Sequence, residues 1–210
     1  MRWYPHRTPG LLPALFPGLL FSGDKKDRTL YLTFDDGPDP EATPLVLDWL
    51  DRFDAKATFF MVGDRVLEHP EVVTAVVERG HQLGNHTQHH VSGWQTSVRD
   101  YVSDVAMCQR ALQPFLTPQR PLYRPPYGRM TLPQMRLLAK DYRIVMWSLL
   151  SGDFDPKMTA GRCLRELAQA RSGDIIVFHD SSKFQPIVQE VLPQFLERFH
   201  DKGFKFAAIR

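Results

Sequence analysis

Apolar and polar positions fall in blocks along the chain, and the period within each block predicts its element. TLYLTF (residues 29–34) is β-branched and aromatic and lies between GDKKD and DDGP, so it reads as a buried strand. ATFFMV, HQLGNH, RIVMWSLL, DIIVFHD and FKFAAI read as further strands, and PLYRPPYG as extended chain, because a residue before proline is pushed out of the helical region. In TPLVLDWLDRF, Leu45, Val46, Trp49, Leu50 and Phe53 recur with helical period, and Thr43 is the expected N-cap. PEVVTAVVERG predicts a helix with Pro70 near its start and Gly80 at its end. Helices are also expected from Ser97 to about Phe115, over TLPQMRLLAKD, from Thr159 to Arg171 and from Gln185 to His200. Strands alternate with helices throughout, which predicts one α/β domain with a parallel sheet and helices outside it.

Composition narrows the partners. The chain has 210 residues, a net charge of +2, 43% hydrophobic and 24% charged residues. That is one ordinary core, with no basic stripe for nucleic acid. Cys108 and Cys163 lie inside helix-like segments without CxxC spacing, so free buried thiols are expected rather than a bridge. Near the N-terminus, Arg2 and Arg7 precede an apolar stretch broken by Pro9, Pro13 and Pro17. The stretch is too short to span a bilayer and has no clear small-x-small cleavage site. Residues 1–28 are therefore expected as an arm packing on a domain of residues 29–210, and a cytoplasmic location is slightly favoured over a secreted one.

The polar clusters gather where the strands end: Asp35-Asp36, His86 to His90, Asp153 and His179-Asp180, with Arg124 of RPPYG on the same rim. In a β/α barrel the C-terminal ends of the strands share one face, where active sites form. Asp35-Asp36 alone would be a turn. His86 and His90 stand four apart, which on a helical turn places them on one face, and with one carboxylate they make a three-ligand site with open positions, as catalytic zinc prefers. His89 ranks second as a ligand, His81 is expected to be structural, and His6, His69 and His200 are expected as surface residues. One aspartate can then bind the metal while its neighbour stays free as a base. His179 is either a core histidine or a general acid that Asp153 orients through charge pairing. Arg124 either forms a structural ion pair or aims Asp35. Trp94, in SGWQTS, is expected to pack, with a sugar platform as the alternative.

TFDDGP, NHTQHH, RPPYG, SGDF and VFH, in this order and spacing, resemble the NodB-homology polysaccharide deacetylases, carbohydrate esterase family 4. The likeness runs from about Thr29 to the C-terminus. It implies a distorted (β/α) barrel of about seven parallel strands and a divalent metal, zinc first, with cobalt, nickel or manganese as alternatives. It also implies hydrolysis of acetamido groups on amino sugars such as N-acetylglucosamine. By resemblance, Asp36, His86 and His90 are the metal ligands, Asp35 the base, Arg124 its orienter, and His179 the acid with Asp153 behind it. The Tyr127 backbone N–H is implied as an oxyanion donor, with Phe154 and Val177 on the substrate wall. The sequence departs from the family pattern where Leu150 stands for an aspartate and Phe154 for a tryptophan, and Val177 replaces a leucine.

An acetylated glycan is the implied partner, with no nucleic acid and no integral membrane span. The alternatives are an O-acetyl esterase on xylan, a hydrolase of a non-sugar amide, and a glycan-binding module without catalysis.

Overall fold

The structure, a computed structural model, describes residues 4–210; the first three residues of the expected arm, Arg2 among them, lie outside these. Seven strands form one curled parallel sheet in the order β5-β4-β3-β2-β1-β7-β6. They are β1 (Thr29–Asp35), β2 (Thr58–Met61), β3 (Gln82–Asn85), β4 (Leu122–Tyr123), β5 (Arg143–Ile144), β6 (Leu149–Leu150) and β7 (Ile175–His179). An eighth, β8 (Lys205–Phe206), pairs with the start of β1, at Thr29 and Leu30. Every strand pair is parallel, as the alternation of elements predicted, and the result is the curled half-barrel of a distorted (β/α) barrel.

Helices cover the outer face. They are α2 (Ala42–Arg52), α3 (Gly63–Glu68), α4 (Pro70–Glu78), α5 (Val98–Leu112), α6 (Leu132–Leu138), α7 (Ala160–Leu167) and α8 (Gln185–Asp201), while α1 (Leu11–Leu15) precedes the sheet and buries none of its side chains. Side chains alternate across β1: Leu30, Leu32 and Phe34 join the core under the helices, while Tyr31 packs with Phe60, Leu122, Val145, Ile175 and Ile209 inside the curl. Phe34 stacks between Phe59 and Phe178, with ring centroids 5.1 and 5.8 Å away. Truncating a core phenylalanine of this kind costs about 3–5 kcal/mol.

Three local expectations change. RIVMWSLL is two short strands rather than one, because carbonyls between them are taken elsewhere: Arg124 donates to those of Val145 and Met146, and Leu20 pairs beside Val145. Thr43 lies inside α2, and the capping is done by Asp39, whose Oδ1 accepts from the N–H groups of Glu41 and Ala42 at 3.0 Å each. His6 is not a lone surface residue; its Nδ1 donates to the Leu150 carbonyl at 3.0 Å, and its own carbonyl accepts from Leu150 N–H at 2.8 Å. Both cysteines are free and buried.

Residues 6–22 run along the seam between the two ends of the sheet. Arg7 bridges antiparallel to Leu149 of β6, and Leu20 bridges to Val145 just past β5. The Arg7 guanidinium grips Asp174 through two bonds of 3.0 and 2.9 Å. Among the described residues, no helix is long and apolar enough to cross a membrane.

Candidate active site

Because the strands are parallel, their C-terminal ends open on one face, and the chemistry collects there. Asp35 ends β1 in register with His179 at the end of β7, so the two side chains leave neighbouring strands at the same level. Arg124 follows β4 and is fully buried beneath them. Its Nη1 donates to Asp35 Oδ1 and to Thr33 Oγ1, both at 2.7 Å, and its Nε and Nη2 reach the carbonyls of Val145 and Met146. The guanidinium also lies 4.1 Å from the centroid of the Phe60 ring. A buried arginine is tolerable only when paired and saturated with acceptors, as here. Gly84 makes room for Phe60: a Cβ there would fall 2.4 Å from its ring.

Asp36 turns away from Asp35 through a left-handed backbone (φ 78°), so the adjacent carboxylates point apart. Its Oδ1 lies 3.1 Å from His90 Nε2 and 3.6 Å from His86 Nε2. The three ligand atoms offered by Asp36, His86 and His90 all lie within 4.8 Å of one another. The histidines do not reach this arrangement on a helical turn. They sit in a loop kinked by left-handed Thr87 (φ 67°) and His90 (φ 54°), with ring centroids 5.1 Å apart.

The donor set fits a divalent cation. A carbonyl can only accept, so His86 Nδ1, 2.8 Å from the Arg124 carbonyl, carries the proton. Burial drives the His86 pKa down to about 4, so the ring is neutral at pH 7 and turns an unprotonated Nε2 toward a carboxylate. Two lone-pair donors aimed at one point without a proton between them suit a bound cation. At Asp36, burial opposes ionisation, but the hydrogen bond from His90 and the charges of His179 and His86 outweigh it, and the carboxyl sits well below its usual range.

Across the cleft, His179 Nδ1 donates to Asp153 Oδ1 at 2.7 Å, and its backbone N–H donates to Asp153 Oδ2 at 2.8 Å. Burial works to lower the imidazole pKa, but the charge and hydrogen bond of Asp153, with the charges of Asp36 and Asp35, carry it up to about 10. The ring is therefore a cation at neutral pH. Phe154 and Phe184 meet it edge-on at 5.5 and 5.3 Å, and Val177 lies one pleat below on the same face of β7. Tyr127 is left-handed (φ 59°), and its exposed ring packs against His90 at 4.8 Å. The ten residues to which the resemblance assigns a role thus lie at or just beneath one end of the sheet.

Sequence reasoning assigned no role to the groups that hold these in place. Asp180 accepts from Gly37 N–H at 3.1 Å and from Thr43 Oγ1 at 2.7 Å, and burial raises its pKa to about 8. A Cβ on Gly37 would meet that carboxylate at 2.2 Å. Asn85 accepts from Thr87 N–H, and Asp104 from the N–H groups of Gln88 and His89, fixing the loop between the two histidines. His89 rests on Asp104 and stays out of the triad. The only sequence signal for Asp180 is its place directly after His179. Trp94 was expected to pack and is instead 66% exposed.

The family model for polysaccharide deacetylase matches residues 22–147. A peptidoglycan-N-acetylglucosamine deacetylase of Bacillus cereus is 32% identical over 190 residues, 87% of this chain and 87% of that one. A chitooligosaccharide deacetylase of Bradyrhizobium is 34% identical over 155 residues, 73% of this chain and 71% of that one. The crystal structure of a peptidoglycan N-acetylglucosamine deacetylase in complex with 4-naphthalen-1-yl-N-oxidanyl-benzamide superposes with a TM-score of 0.87 at 26% identity, covering 99% of this chain and 95% of that one.

Proposed function

The chain belongs to the polysaccharide deacetylase family, and from that premise we propose that it is a divalent-metal-dependent hydrolase removing N-acetyl groups from amino sugars in a glycan, of peptidoglycan or chitooligosaccharide type. The observation that carries this reading is the pairing of Asp35 and His179 on neighbouring strands, one carboxylate and one imidazolium, beside the convergent Asp36, His86 and His90.

Asp36, His86 and His90 hold the metal, zinc first by the nature of the donors and cobalt, nickel or manganese otherwise. When bound, such a cation supplies Lewis-acid chemistry, polarising the acetyl carbonyl and acidifying water. Asp35 is the general base: Arg124 holds its Oδ1, leaving Oδ2 to take the proton of the attacking water. The Tyr127 N–H stabilises charge growing on the carbonyl oxygen. His179 then gives its Nε2 proton to the departing amine nitrogen, without which the C–N bond is slow to break, while Asp153 fixes the ring through Nδ1. Phe154 and Val177 form the apolar wall on the acetyl side, with phenylalanine giving a smaller face than a tryptophan.

The test is acetate release from N-acetylglucosamine oligomers, N-acetylated peptidoglycan fragments and acetylated xylan, with and without a chelator, using Asp35→Asn as the blank. Chelator-sensitive release from an amino sugar supports the proposal. Release from xylan alone moves the target to an ester, and no release from any of them by the metal-loaded protein overturns it.

A further inference from the structure

One exposed aromatic side chain has no part in the proposed reaction, yet its loop is firmly held. Trp94 leaves most of its surface in solvent, but its indole N–H donates to the Met130 carbonyl at 3.3 Å. Its loop is tied down on both sides. Gly93 N–H donates to the Arg129 carbonyl at 3.1 Å, and the fully buried Gln134 amide donates to the carbonyls of Gly93 and Thr96 at 2.9 and 3.1 Å. The approach is close enough that a Cβ on Gly93 would lie 2.6 Å from the Arg129 carbonyl. An exposed large apolar face on a rigid mount, with its polar atom already satisfied, has the makings of a contact surface.

The surface has a direction and a charge. From His90 in the triad, the Tyr127 ring follows at 4.8 Å. The Arg129 guanidinium comes next, 6.0 Å from the Tyr127 centroid and 4.9 Å from that of Trp94. Arg129 is exposed and makes no ion pair among the described residues, although it has donors to spare. Aromatic faces suit the apolar faces of sugar rings, and a guanidinium with free donors suits a carboxylate.

We propose that Trp94 and Arg129 form a subsite beside the acetyl-removing centre for a sugar that carries a carboxylate, so that the preferred glycan is acidic rather than neutral. The inference rests on the glycan reading above and narrows it. Trp94 supplies the platform whatever the charge of the sugar, and Arg129 supplies the discrimination.

The experiment uses the full chain carrying Asp35→Asn, so that binding is read without turnover. Calorimetry measures affinity for a peptidoglycan-derived tetrasaccharide with free lactyl carboxylates and for the same compound with those carboxylates methyl-esterified. The free acid is expected to bind about two- to fivefold more tightly at low salt, the factor that an exposed ion pair carries. Arg129→Gln removes that preference, and Arg129→Lys keeps part of it. Trp94→Ala weakens both forms by about tenfold, as loss of an aromatic anchor does, with melting temperature confirming the fold. Equal binding of acid and ester by the parent, or no binding of either, overturns the inference. So does an equal effect of Arg129→Gln on both forms, or a Trp94→Ala variant that binds as the parent does. Acetate release by the unblocked protein without any carboxylate preference sinks this inference and leaves the deacetylase reading standing. Selective binding without release by the unblocked protein does the reverse.

Discussion

Two histidine–aspartate pairs in this molecule have nearly the same local design. In each, the ring Nδ1 and the backbone N–H of the histidine both engage one aspartate: His179 with Asp153, and His89 with Asp104. They differ in what surrounds them. The Asp153 side chain is fully buried and the His179 ring nearly so, at the end of β7, facing Asp35 and Asp36 across the cleft. The side chain of His89 is half exposed and points toward Asp64. Both imidazoles are pulled toward the charged form, His89 first by its hydrogen bond to Asp104. In the proposed mechanism only His179 holds its proton where a substrate would receive it. The pair is a common device, and its depth and aim decide whether it moves a proton or pins a loop.

Replacing each member separates the two roles. His179→Ala is expected to reduce kcat by about 10²–10⁴, the range of a lost general acid, in steady-state acetate release. A loss under threefold would remove His179 from that role. Asp153→Asn comes next, because the ring then keeps its burial but loses the charge that outweighs it. The alkaline limb of the kcat profile moves to lower pH than in the parent, whereas Asp104→Asn leaves the limb in place.

The folded-state pKa of His179, about 10, stands above an unfolded value of about 6.5. Its ion pair therefore stabilises the fold fully below about pH 6.5, and the contribution fades as pH rises through about 10. Denaturant midpoints measured across that window should fall in the parent more steeply than in Asp153→Asn. Asp104→Ala strips the N–H groups of Gln88 and His89 of their acceptor and should cost about 1–3 kcal/mol of stability. It should also weaken metal affinity by about tenfold, as read by competition with a chelator, because the loop carries His86 and His90. The smallest effect is expected of His89→Gln, within about 1 kcal/mol in melting and with kcat little changed, since its pairing is half solvated.

The strands were legible because β1, β2 and β7 are buried on both faces and read as continuous apolar runs bounded by turn residues. The site was legible for a related reason, since a polar residue directly after such a run has to surface at the sheet's open end. RIVMWSLL misled because its apolarity is real while its backbone partners lie far off in sequence, on Arg124 and on Leu20. The spacing of His86 and His90 suggested a helical turn; nothing local announced that Thr87 and His90 would adopt positive φ. Asp180 and Asp104 went unassigned because much of their work is on backbone N–H groups, which carry no residue-specific signal in a sequence, and their side-chain partners Thr43 and His89 lie far off along the chain or in a loop.

The segment along the seam has a consequence for how the chain assembles. Residues 6–8 are synthesised long before residues 148–150, and residues 20–22 long before 144–146 and 174, yet these are their partners. Such contacts have among the largest sequence separations the chain offers, and loop closure on that scale is slow. The segment made early can thus be seated only once β5 and β6, the sheet ends that it joins, are in place. Until then both sheet ends lie unpaired, an exposure that favours association between partly folded chains.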